Sequence, residues 1–149
     1  LINHDNNLNK QMKQIIEKLS FNTKAENVLE ITNEIFDSVN SFNLCSGLIN
    51  LSVLHTSCSL MVQENADSSV LLDIKNFLNK IAPECDSYNH STEGPDDMPA
   101  HLKTLLTQTN ITLSLKKKKL ILGTWQGIFL VEHRKQNRSR DIMFHFIGD

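Results

Sequence analysis

Glycine, proline and cysteine are all scarce: 149 residues hold five Gly, three Pro and three Cys. So little Gly and Pro excludes a collagen-like or linker-rich chain. Neither G-x-G-x-x-G nor G-x-x-x-x-G-K-[ST] occurs, which removes the common phosphate-cradling loops. Cys45, Cys58 and Cys85 are odd in number and lack C-x-x-C spacing. Neither a disulfide framework nor a cysteine-type zinc site is expected, and reduced thiols in the cytosol are. Apolar runs reach only a few residues, so no membrane span is expected. The N-terminus lacks the basic-plus-apolar pattern of a secretion signal. A dominant charge is missing too: 15 Lys and Arg face 17 Asp and Glu, a net −2. Nothing electrostatic calls for nucleic acid, and a cytoplasmic protein is the expectation.

What is present suits one globular domain. Hydrophobic residues make up 40% of the chain and charged residues 21%, enough for a core of its own. Residues 1–8 read as a polar tail and Asn9–Asp149 as the domain, with no internal repeat or linker. Ile15, Ile16, Leu19 and Phe21 place an early strand over 11–22. Ile31, Ile35, Phe36 and Val39 share one helical face, with Thr32 as its expected N-cap. Ile49, Leu51 and Val53 alternate with Asn50 and Ser52 in a half-buried strand.

A second helix carries Val70, Leu71, Ile74, Phe77, Leu78 and Ile81 at the 3.6-residue period. Asp67, Ser68 and Ser69 offer caps before it and Pro83 stops it. A third, short helix is expected near Pro99, carrying Leu102, Leu105 and Leu106. Strands follow at Ile111–Leu115, Leu120–Leu122, Ile128–His133 and Ile142–Ile147, with Lys116–Lys119 as a solvated turn between two of them. The expected fold is α+β, a sandwich of mainly antiparallel sheet with a few helices on one side.

Four segments concentrate polar groups that a purely structural domain does not need. His55 shares parity with Ile49, Leu51 and Val53 and so points inward. A lone inward histidine is ordinarily a hydrogen-bonded core residue, but the Thr56 and Ser57 hydroxyls beside it favour a site. Gln63-Glu-Asn-Ala-Asp67 leads into the second helix. Asp67 serves as a cap, whereas Glu64 and Asn65 are free to meet an anionic ligand at a helix N-terminus. The densest segment runs from His90 to His101, with two histidines and three carboxylates, Glu93, Asp96 and Asp97, within twelve residues. These are ligands that Zn²⁺, Mn²⁺ or Mg²⁺ accept; Asp96 and Asp97 also read as caps of the third helix. The fourth segment sets Trp125 and Gln126 between Gly123 and Gly127, ahead of Glu132-His-Arg134. In a regular strand Glu132 and His133 face opposite sides, so only one of them lines a given pocket.

The stretches HTSCSLMVQENAD, EGPDDMPAHLK and LGTWQGIFLVEHR, in this order, resemble the YjbQ family, whose members are often named secondary thiamine-phosphate synthases. The resemblance covers nearly the whole chain and is thinnest over the first 45 residues. It implies a homotrimeric sandwich-like α+β domain with clefts near subunit boundaries. It also implies a weak activity joining a pyrimidine pyrophosphate to a thiazole phosphate. By motif, His55, His90 and His101 become the metal ligands, with His133 as a lesser fourth. Glu93, Asp96 and Asp97 become acid/base or supporting groups. Under that chemistry a divalent metal, Zn or Mg/Mn, neutralises the leaving pyrophosphate, Trp125 stacks on a heteroaromatic ring and Arg134 pairs with phosphate. Two other readings use the same residues: a metal-dependent phosphate-ester hydrolase, and a non-catalytic trimer holding a metal or small anion.

Overall fold

Period-two alternation makes strands the commonest element of the described residues. The computed structural model describes residues 11–149; the expected polar tail, 1–8, lies outside them. The elements run β1 (Lys13–Thr23), β2 (Val28–Glu30), α1 (Thr32–Ser41), β3 (Gly47–Val53), β4 (Cys58–Glu64), α2 (Ser68–Ile81), α3 (Asp97–Leu106), β5 (Asn110–Lys116), β6 (Lys119–Leu120), β7 (Gln126–Glu132) and β8 (Arg138–Gly148). Every strand pair is antiparallel, in two sheets ordered β1-β8-β3-β5-β6 and β2-β7-β4. The fold is α+β, with three helices among the described residues. None of the described helices is long and apolar enough to cross a membrane.

The core lies where the inward faces of the two sheets meet. Ile49, Leu51, Ile111, Leu113, Ile142, Phe144 and Phe146 come from the larger sheet, and Cys58, Leu60, Ile128 and Leu130 from the smaller. Ile35 and Val39 of α1 join the same cluster. Buried Val131 of β7, outside that cluster, shares a small cavity with Leu78 of α2 and Lys103 of α3. The two later helices therefore cover the outer side of the smaller sheet. Strands β3 and β8 approach most closely at Gly47 and Gly148, where a Cβ on Gly47 would sit 2.7 Å from the Gly148 Cα.

Three local expectations need correction. Thr32 is the first residue of α1 and not its cap: Ile31 holds the cap position without a side-chain bond. The Thr32 hydroxyl is claimed across the sheet, accepting the Ile128 N–H at 2.9 Å and donating to Glu30 at 2.9 Å. Helix α3 starts at Asp97, two residues before Pro99, and its buried side is Asp97, Pro99, Ala100, Lys103 and Thr104. Leu105 and Leu106 are 78% and 58% exposed, because the leucine side of α3 faces away from the sheet. The strand expected over 120–122 is the two-residue β6, paired to β5 through the lysine turn, where Lys117 and Lys118 adopt φ of 50° and 64°. For α2 the cap holds as expected: the Asp67 carboxylate accepts the Ser69 N–H at 2.8 Å. Part of its apolar stripe is nevertheless uncovered, with Phe77 61% and Ile81 44% exposed.

Candidate metal centre at the start of α3

The helical period brings Asp97 and His101, at i and i+4, onto one side of α3. The loop before the helix turns at Gly94, whose φ of 111° suits glycine, and carries His90 to the same place. The His90 Nε2 lies 2.7 Å from Asp97 Oδ2, and His101 Nε2 lies 3.5 Å from the same oxygen. One ligand atom from each of the three residues falls within 4.8 Å of the others. Asp97 is buried while the two imidazoles are partly open to solvent.

The surroundings orient these groups. The His101 Nδ1 is 3.0 Å from the Thr56 carbonyl; a carbonyl only accepts, so that nitrogen carries the proton and Nε2 keeps its lone pair. Arg134 fixes the carboxylates. Its Nη1 donates to Asp97 Oδ1, its Nε to Asp96 Oδ2 at 3.0 Å and its Nη2 to the Glu93 carbonyl at 2.8 Å. Asp96 also accepts the Lys135 N–H at 2.8 Å. Burial works against its charge, but the Lys135 amide and Arg134 hold its carboxyl below the ordinary range. One oxygen of Asp97 is therefore tied to Arg134 and the other faces the two histidines. Two imidazoles and a carboxylate, open on one side, form a donor set suited to Zn²⁺ or another first-row divalent ion.

Several expected site residues lie elsewhere. His55 stands past the end of β3, where strand parity no longer orients it, and its Nε2 accepts the Asp141 N–H at 2.7 Å. Burial and Arg140 hold its imidazole below its ordinary pKa. It is not one of the three clustered ligands within the described chain. His133, the lesser fourth ligand, is buried and bonded through Nε2 to Ser59 Oγ at 2.8 Å. Burial and the nearby Lys103 pull its pKa down to about 4. Arg134, expected on phosphate, is buried and spent on Asp96, Asp97 and Glu93. Asp96 is held in the same network through Oδ2, while the Glu93 side chain is exposed at its edge.

The fourth segment is remote. In the β4–β7 ladder Cys58 faces Glu132, and Glu64 faces Gln126 six residues away, about 20 Å along the strand. The Thr56–Ser57 and His133–Arg134 ends lie by the metal centre. Glu64, Asn65, Trp125 and Gln126 lie at the opposite end. There the Asn65 N–H donates to the Trp125 carbonyl at 3.0 Å, and Gln126 Oε1 accepts the Gly123 N–H at 2.7 Å. Trp125 is 64% exposed. Antiparallel pairing separates within one chain what the order of motifs suggested as one site.

One network was missed. Glu132, buried, accepts from Arg140 Nε at 2.6 Å and Thr23 Oγ1 at 2.7 Å, and Arg140 Nη2 donates to the Ser57 carbonyl and hydroxyl at 3.2 and 3.0 Å. Burial works against the Glu132 charge, yet the hydrogen bonds from Arg140, the Arg134 amide and Thr23 hold its carboxyl below the ordinary range. Through Ser57 this pair steadies the loop whose Thr56 carbonyl orients His101. Parity offered a signal: Arg140 alternates in step with Ile142, Phe144 and Phe146, so a cation was due in the core and needed a buried carboxylate.

The family described as UPF0047 protein YjbQ-like matches residues 4–149. The chain belongs to the YjbQ family. Among relatives, the UPF0047 protein sll1880 of Synechocystis is 40% identical over 138 residues, covering 92% of this chain and 94% of that one. YjbQ of Escherichia coli O157:H7 is 36% identical over 132 residues, with 88% and 96% covered. A solved YbjQ-like protein of unknown function from Sulfolobus solfataricus superposes with a TM-score of 0.85 at 22% identity, over 93% of this chain and all of that one; at that identity the likeness is one of fold. A conserved hypothetical protein of Thermus thermophilus gives a TM-score of 0.77 at 34% identity, over 87% and 98%.

Proposed function

We propose that this YjbQ-family chain is a divalent-metal protein acting on a small phosphorylated ligand, with His90, Asp97 and His101 as the protein ligands. The observation that carries the reading is the convergence of those three donors, with His101 oriented by the Thr56 carbonyl and Asp97 by Arg134. A bound divalent ion supplies electrostatic stabilisation of a phosphate or pyrophosphate group. Asp97 supplies the negative charge of the donor set, and the exposed sides of His90 and His101 admit the ligand. The thiamine-phosphate synthase type of transfer, with pyrophosphate leaving, is the reaction class we assign. The Arg134 guanidinium is buried and its charge is already balanced by Asp96 and Asp97, which favours the binding trimer as the second reading.

We also propose a homotrimer in the cytosol. Uncovered Phe77, Ile81, Leu105 and Leu106 support a second copy covering these helices. An assembly of copies is one way for Trp125 and Gln126 of one chain to approach the metal centre of another.

Metal titration followed by calorimetry and elemental analysis tests the ligand set. Wild type and His55→Ala are expected to bind one ion per chain. His90→Ala and His101→Ala should bind it far more weakly, beyond the roughly 10- to 100-fold that loss of a supporting residue costs. Full metal content in His101→Ala would overturn the assignment. Supplying a pyrimidine pyrophosphate with a thiazole phosphate then separates the readings: condensation supports transfer, and metal binding without turnover supports the binding trimer. Light scattering reads the oligomer.

A further inference from the structure

Lys103 closes the motif EGPDDMPAHLK, and the metal centre does not use it. Its side chain points from α3 toward α2, where Nζ donates to Asn79 Oδ1 at 2.6 Å. The residue is 6% exposed, yet it borders open space. It lines a small inner cavity of about 20 Å³, room for one water, and a wider cleft of about 320 Å³ between the C-terminal end of α2, α3 and Lys135.

Two lysines and two glutamates line the cleft, but its glutamates reach lysines other than Lys103. Lys75 is paired with Glu26 at 3.4 Å and Lys135 with Glu84. Glu26 and Glu84, the two carboxylates that line the cleft, are thus each engaged by another lysine. Among the described residues Lys103 has no carboxylate within salt-bridge distance, and a single amide oxygen accepts one of its three N–H donors. A buried ammonium that touches no carboxylate is costly, and proteins ordinarily satisfy one by direct pairing.

We infer that the cleft between α2 and α3 is a binding site for a small oxyanion, a phosphate or a carboxylate, held by the two unused Lys103 donors. The site is separate from the metal centre, which Asp97 and His101 build on another side of α3. The Lys103 ammonium, with two N–H donors left over, suits a single anionic group in the cleft of about 320 Å³.

The test is titration of the full chain, with chelator present, by inorganic phosphate and separately by acetate. Amide shifts and melting temperature are the readouts. Saturable binding is expected, with resonances of 26, 79 and 103 moving first; whichever probe binds more tightly identifies the oxyanion. Lys103→Met should weaken binding roughly 10- to 100-fold, as expected for loss of a charge-assisted hydrogen bond. It should also melt no lower than wild type without anion, since a buried unpaired charge is gone. Lys103→Arg, which keeps the charge, should retain part of the binding, and His101→Ala should retain all of it. That last arm keeps this site distinguishable from the metal proposal. Equal anion binding by Lys103→Met, or none by wild type, would overturn the inference.

Discussion

Arg134→Met is expected to lower the unfolding free energy by about 3–5 kcal/mol at neutral pH. The guanidinium holds two carboxylates, Asp96 and Asp97, that are 7% and 2% exposed. Methionine fills much of the space but supplies no donor. Asp96 would keep only the Lys135 amide, and Asp97 would lose the bond that aims its other oxygen at His90 and His101. The same variant should therefore lose metal affinity along with stability. In wild type the carboxyl of Asp96 is held below its ordinary value. Its contribution is thus present above the unfolded value near pH ~4 and fades as pH falls through the folded one. The gap between wild type and Arg134→Met should narrow over that acid range. Urea denaturation at pH 7 and at successively lower pH measures both effects, and a loss below about 1 kcal/mol at pH 7 would show the network to be dispensable.

Arg140→Met should be comparably damaging, about 3–5 kcal/mol, for a different carboxylate. The Glu132 side chain is fully buried. Without Arg140 it keeps the Thr23 hydroxyl and the Arg134 amide. Arg140 and the other donors now hold the Glu132 carboxyl low against burial. Removing the arginine lets burial dominate, so the carboxyl rises above its ordinary value. A group with a raised folded pKa favours folding more as pH falls. Arg140→Met should thus lose part of its deficit relative to wild type as pH falls below neutrality. The double variant Glu132→Gln with Arg140→Met should recover much of the stability, because a neutral amide costs less to bury than an unpaired carboxylate. If the double variant is no more stable than Arg140→Met alone, packing rather than charge explains the loss.

Much of the fold could be read locally. β3, β5 and β8 follow strict alternation because one side of each faces the core, and Asp67 caps α2 because its side chain reaches an amide two residues away. These are short-range consequences of pleat and helical period. The candidate site was only partly legible. Asp97 and His101 share a helix side by spacing alone, and His90 sits close enough in sequence for one bend to deliver it. Helix α3 misled where Leu105 and Leu106 promised the buried side and Lys103 supplied it. Composition cannot say which side of a helix meets a sheet already covered by α2.

Fold class, the antiparallel strands, the helix positions and the density of ligands between His90 and His101 are written in residue types and their spacing, because each rests on neighbours within a few residues. Which donors converge was settled by tertiary contacts. The register of β4 on β7 put Gln126 about 20 Å along the strand from Glu132, at the end away from the His90, Asp97 and His101 cluster. The Asp141 amide took His55, and two buried carboxylates took Arg134. In each case a buried polar group needed a partner, and residues distant in the chain supplied it.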